Sequence, residues 1–184
     1  MGNISARGKV SRLPPLPDPL PPDVQSLFAE RLARMGRLLN IHSVFGHAPK
    51  ISRASAQMAF ALRNETLVPR LYVEIAIVRA AQNAQGHYEL QQHEPMLLAE
   101  GFAREKLAAL KDWKGSKLFD DRECALLAYT DETCDLGNVS DATFAAMTKH
   151  FTPQEITELS FAIGTYYGTA LVMNALQIQL EKVS

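Results

Sequence analysis

Apolar side chains return every three or four residues along most of this chain, the period of one face of an α-helix. After Asp23, the residues Val24, Leu27, Phe28, Met35, Leu38 and Leu39 fall at such offsets and predict a first helix. Pro49 and Lys50 open another, with Ile51, Ala54, Met58 and Ala61 on one face. The run Leu71 to Val78 is ambiguous, because its β-branched residues favour strands. It reads as helix because Pro69 suits a helix start and the run continues through Arg79, Ala80, Ala81 and Gln82. Apolar on almost every side, it predicts a central buried helix.

Further helices are predicted from His87 to Glu100, stopped by Gly101, and over a short stretch from Arg104 to Lys111. Asp120 followed by Glu123 has the form of a capping box, and Gly137 closes the helix that it opens. Ser140 caps the next, through about His150. Thr152-Pro153-Gln154-Glu155 is the clearest start signal: a capping hydroxyl, proline at the first helical position and glutamate at the third. No Asn-Gly or Asp-Gly hairpin separates alternating runs. The fold predicted is all-α, with about seven or eight helices in a domain over residues 23–184. Residues 1–22 differ, with Pro14, Pro15, Pro17, Pro19, Pro21 and Pro22 crowded together. They read as an extended Pro-rich arm lying on its own or a neighbouring subunit. The Pro-x-x-Pro step at Pro14 to Pro17 lacks the arginine offset of an SH3 ligand by one residue.

Composition narrows the function. The 184 residues are 47% hydrophobic and 21% charged, a globular balance that fits one core. A formal net charge of −1 gives no overall field for nucleic acid or acidic lipid, and neither partner is expected. No run approaches the ~18 apolar residues of a membrane span. Met1 to Arg12 has no apolar stretch like that of a secretory leader. The two cysteines, Cys124 and Cys134, fall on one predicted helix. Ten helical residues separate them by roughly 15 Å, beyond the ~7 Å that a disulfide spans. A reduced, cytoplasmic protein is the simplest expectation.

One segment carries chemistry: Glu74-x11-Gly86-x2-Glu89-x3-His93. Glu89 and His93 stand four apart on one helix, so their side chains share a face. A carboxylate beside an imidazole orients the ring and tunes it for proton transfer near neutral pH. The segment resembles the carboxymuconolactone decarboxylase family of the alkylhydroperoxidase D-like superfamily. The peroxidase branch of that superfamily has the pattern Glu-x11-Cys-x2-Cys-x3-His. Glu74 and His93 match it in register, while Gly86 and Glu89 stand where the two cysteines would be. Gly86-His-Tyr-Glu-Leu-Gln-Gln-His93 is similar to the Gly-x-x-Tyr-Glu-Trp-x-x-His segment of cysteine-less relatives. Val139 to Phe144 and Val172 to Leu176 also look like family segments, so the resemblance covers about residues 24 to 180.

The resemblance implies an alkylhydroperoxidase D-like helical domain in a trimer-based homo-oligomer. It also implies a cofactor-free lyase or related acid–base enzyme on a small carboxylated or lactone-like metabolite. Catalysis is expected from Glu74, Glu89 and His93, with Gly86, His87 and Tyr88 near the substrate. Cysteine-pair peroxidase chemistry is not expected, since Gly86 and Glu89 carry no sulfur. Cys124 and Cys134 have no Cys-x-x-Cys spacing and read as small core residues. Neither a metal nor a cofactor is called for, because Glu89 and His93 supply two ligands and His87 a doubtful third. Other readings stay open: a peroxidase-related protein without cysteine-pair activity, or a non-catalytic oligomer that binds a ligand. Glu74 also reads as a plain cap or salt-bridge partner of Arg70 or Arg79; those two arginines are also the candidates for holding a substrate carboxylate. Tyr166, Tyr167 and Asn174 read as core or interface groups.

Overall fold

In a computed structural model, which describes residues 10–182, every regular element among the described residues is helical. The described residues form nine α-helices, with a 3-10 segment after the sixth. No helix among the described residues is long and apolar enough to cross a membrane. The chain divides into two compact units, one from residues up to 58 and from 172 onward, the other from residues 59–171.

The first unit is organised around α1 (Pro22–Met35), which buries Val24, Leu27 and Phe28. These three offsets place one apolar stripe against Leu38 and the partly buried Leu16 and Leu20 of the Pro-rich segment. The chain passes very close at Gly46, where a Cβ would stand 2.8 Å from Leu16 Cδ1. The predicted first helix is shorter than its apolar pattern. Gly36, at φ 68°, adopts the left-handed conformation that ends α1, so Leu38 and Leu39 lie beyond it. A short helix, α2 (Asn40–Phe45), then precedes α3 (Pro49–Asn64). Nothing local announced α2. Its first residue is held from far along the chain: Asn40 Nδ2 donates to the Gln179 and Leu180 carbonyls at 3.0 and 3.2 Å. Beside it, Arg12 N donates to Leu176 O and Gln179 N to Val10 O, both at 2.9 Å.

The second unit is built on α4 (Arg70–Asn83), which buries Val73, Glu74, Ile75, Ala76, Ile77, Val78, Ala80 and Ala81. It packs on α5 (His87–Ala99) and α7 (Asp121–Cys134). Leu97 of α5 and Leu126 and Leu127 of α7 are fully buried in the same core. The helix that the pattern runs from Arg104 to Lys111 is α6 (Arg104–Ala109), followed by the 3-10 segment Leu110–Gly115. The Asp120–Glu123 capping box opens α7, with Glu123 N donating to Asp120 Oδ1 at 2.8 Å. Ser140 caps α8 (Asp141–Met147), which stops short of His150. Glu155 N donates to Thr152 Oγ1 at 3.3 Å at the start of α9 (Pro153–Leu176).

The far end of α4 is fixed by Asp131 of α7. Its carboxylate accepts from Arg79 Nε at 2.6 Å, Arg79 Nη2 at 3.1 Å, and Asn83 Nδ2 and Trp113 Nε1 at 3.0 Å. Burial raises the Asp131 carboxyl, but hydrogen bonds from Arg79, Asn83 and Trp113 outweigh it and hold its pKa low. Asp131→Ala is expected to cost about 3 kcal/mol, because a largely buried ion pair loses one partner. Urea unfolding read through Trp113, the single tryptophan, measures this. The contribution is complete above the unfolded carboxyl pKa of about 3.9 and is lost as pH falls through the lower folded-state value. The stability gap between wild type and variant therefore closes in acid.

Candidate functional site

The turn from α4 to α5 sets the geometry. Gln85 takes φ 52°, a conformation uncommon for a residue with a side chain. Gly86 N donates to Ala81 O at 2.8 Å, and α5 begins at His87. This hairpin lays the buried side of α5 along α4, so that positions 89 and 93 meet position 74.

Glu74 is fully buried one turn into α4. An ionised carboxylate at such a place is costly unless it is paired and hydrogen-bonded. Arg70, four residues earlier, reaches Oε1 with Nε at 2.7 Å and Nη2 at 2.6 Å. His93 Nδ1 reaches the other oxygen, Oε2, at 2.7 Å. Burial pushes the Glu74 carboxyl up, but the His93 hydrogen bond and the charges of His93 and Arg70 prevail, and its pKa is lowered. An ionised Glu74 can only accept, so Nδ1 of His93 carries the proton on that side. Nε2 is thereby directed away from Glu74.

Nε2 meets Glu89, whose Oε2 lies 3.4 Å away. Glu89 is 5% exposed, and burial raises its carboxyl against the opposing charges of His93 and Arg63, with Glu74 adding to the rise. The two glutamates are thus driven apart. Glu74 is held as a carboxylate, and Glu89 is shifted towards the acid form. Paired groups tuned in opposite directions are a common feature of acid–base sites. The Tyr166 ring of α9 closes the group, edge-on to His93 with centroids 5.0 Å apart at 79°.

Of the residues expected from the pattern, Glu74, Glu89 and His93 converge as one buried chain. Tyr88 is buried, and His87 lies exposed at the start of α5. Gly86 is buried against α9: a Cβ there would stand 2.7 Å from Ala170 Cβ and 3.4 Å from Ala81 O. The position that would bear a cysteine in the peroxidase pattern has no space for a side chain. Cys124 and Cys134 are free thiols on α7, remote in sequence from this turn. Burial raises both, Cys134 to about 11, which disfavours the reactive thiolate. No three His, Cys, Asp or Glu side chains form a metal-binding group among the described residues. Arg70 is occupied by Glu74 and Arg79 by Asp131. The pattern missed Arg63 and Tyr166, which come from α3 and α9 and have no spacing that ties them to the segment 74–93.

Comparison with known proteins identifies the fold. No family model matches the sequence, and no curated protein does. Among solved structures, an uncharacterised peroxidase-related protein from Silicibacter sp. TM1040 is similar at TM-score 0.81 and 17% identity, over 97% of this chain and 96% of that one. An uncharacterised peroxidase-related protein from Ralstonia eutropha JMP134, described as an alkylhydroperoxidase AhpD core, gives 0.80 and 19% over 96% and 95%. The debrominase Bmp8 in complex with 2,3,4-tribromopyrrole gives 0.75 and 16% over 96% and 94%. The chain has the alkylhydroperoxidase D-like helical fold.

Gly86→Ala is expected to destabilise by about 1–3 kcal/mol, the usual cost of overpacking a filled site. Ala170→Gly in the same chain should recover most of that loss. Thermal unfolding of both single variants and the double variant reads the coupling.

Proposed function

We propose that this chain is a cofactor-free acid–base enzyme, a carbon–carbon lyase of the decarboxylase kind, acting on a small carboxylated or lactone-like metabolite. The observation that supports this is the buried run Arg70–Glu74–His93–Glu89, in which one imidazole bridges an ionised carboxylate and a carboxyl biased towards its acid form. Such a run has two ends with different tasks. Arg70 helps hold Glu74 as a carboxylate, and Glu74 orients the ring through Nδ1. Glu89 is the group left to exchange a proton with a bound molecule.

Loss of a carboxylate as carbon dioxide leaves the bonding electron pair on the neighbouring carbon, delocalised into a conjugated carbonyl as an enolate. One proton added to carbon completes the product. Glu89 supplies that proton in this reading, and His93 Nε2 returns one to it from solvent. Positioned acid–base groups of this kind contribute about 10²–10⁴-fold to rate. The thiol-peroxidase alternative finds no sulfur at position 86 or 89 and no space for one at 86.

The test is carbon dioxide release from carboxymuconolactone and a panel of unsaturated lactone acids. Turnover by the wild-type chain is expected, with kcat lowered about 10²-fold or more by Glu89→Gln and by His93→Ala. Absence of turnover across the panel, or full turnover by the His93→Ala protein, sinks the reading.

A further inference from the structure

Tyr166 has no part in the proton run, yet its hydroxyl is among the few buried polar atoms that the folded chain leaves without a partner. The residue is 5% exposed, and its ring rests edge-on against His93. A phenol buried at such a place normally finds an acceptor, because an unsatisfied hydroxyl is costly. Burial raises its pKa, and the charges it senses are Arg63, Glu89, Glu74 and Arg70, in that order. The ring contact with His93 places the phenol beside that charged cluster. It is a donor, kept protonated, with no acceptor among the described residues.

Arg63 supplies the second half of the argument. It lies at the penultimate position of α3, and its carbonyl accepts from Arg70 Nη1 at 2.9 Å, which fixes this helix end beside the Arg70–Glu74 pair. Its own Nε donates to Ala59 O at 2.9 Å, while no carboxylate pairs with its guanidinium. Its charge is nevertheless felt at both Glu89 and Tyr166. The charges around the cluster leave an excess: Arg70 and Glu74 cancel, Glu89 is driven towards neutrality, and Arg63 stays uncompensated. A cation and a buried hydroxyl donor beside the same cluster make an environment suited to an anionic oxygen.

We propose that Arg63 and Tyr166 form a carboxylate-binding subsite, holding the acid group of the substrate while Glu89 faces the carbon that is protonated. This rests on the acid–base reading of the Glu89–His93 pair, and it names what the two arginines weighed from the sequence do not supply. Arg70 and Arg79 are already committed to Glu74 and Asp131, so neither holds the ligand. The class implied is a small molecule that bears a carboxylate besides the one lost, rather than a neutral lactone or a peroxide.

The experiment titrates acetate and benzoate into the full chain, with acetamide and benzamide as neutral counterparts. Shifts of the Glu89 and His93 backbone amides in NMR spectra report binding. The acids are expected to bind saturably and the amides not at all. Arg63→Gln is expected to weaken acid binding about tenfold and Tyr166→Phe about fivefold, the losses typical of a charged and a neutral hydrogen bond. Arg63→Lys should restore part of the affinity. Tyr166→Phe should also raise the midpoint of thermal unfolding, since it removes an unsatisfied hydroxyl, whereas a tyrosine retained for structure would lose stability on that change. Wild-type affinity in both Arg63→Gln and Tyr166→Phe overturns the subsite, as does equal binding of acids and amides or no binding of either. The subsite and the acid–base reading can fail separately. Acid binding without turnover on the lactone panel leaves the subsite standing; turnover with a KM unchanged by Arg63→Gln and Tyr166→Phe leaves only the acid–base chemistry.

Discussion

A charged carboxylate at the centre of an apolar helix is the constraint on which this site depends. Glu74 has Val73 and Ile75 beside it in sequence and no exposure of its own. Left alone it would take up a proton, as buried carboxyls do. It remains ionised because both of its oxygens are engaged, one by Arg70 from the preceding turn and one by His93 from the next helix. That arrangement sets the angle of the imidazole, selects the nitrogen that bears the proton and places the other nitrogen against Glu89. The Arg70 charge adds to the His93 hydrogen bond in keeping that carboxylate ionised.

The other end of α4 uses the same chemistry for a different end. Arg79 and Asp131 are also an arginine–carboxylate pair in a largely buried setting, supported by Asn83 and Trp113. There the Asp131 carboxylate accepts hydrogen bonds from Arg79, Asn83 and Trp113 at both of its oxygens. The pair tethers α7 and the 3-10 segment to α4. At the Glu74 end the accounting stays open: Glu89 is biased to its acid form, Tyr166 Oη has no acceptor and Arg63 has no carboxylate. That unpartnered phenol beside His93 is what the proposed carboxylate subsite is argued from, and the Asp131 end has no counterpart to its imidazole–carboxyl contact.

What the sequence revealed follows from the range of the forces involved. Asp120 with Glu123, Ser140, and Thr152 with Glu155 act within one helical turn, so their start signals are readable without a structure. Glu89 and His93 share a face for the same local reason. Helix α2 was hidden because Asn40 takes its partners from residues about 140 positions away. The first helix was overextended because Leu38 and Leu39 keep the apolar spacing after Gly36 has turned the backbone. Arg63 and Tyr166, the residues of the proposed subsite, have no local signal: each lies on its own helix, and on α9 Tyr166 is one apolar position among many. Only the fold shows that one hydroxyl in that stripe has nothing to bond.

Gly86 and Glu89 stand where the peroxidase pattern that this segment resembles has its two cysteines, and under the proposed reading that difference is a change of chemistry. At position 86 the change is steric, since α9 brings Ala170 to where a side chain would start. At position 89 it is electronic. A thiolate beside His93 would be a nucleophile, whereas a carboxyl biased to its acid form gives a proton and takes one back. The imidazole and the Glu74–Arg70 pair behind it act by fixing which nitrogen faces position 89. Under the proposed reading, the carboxyl at that position moves protons where a thiolate would attack.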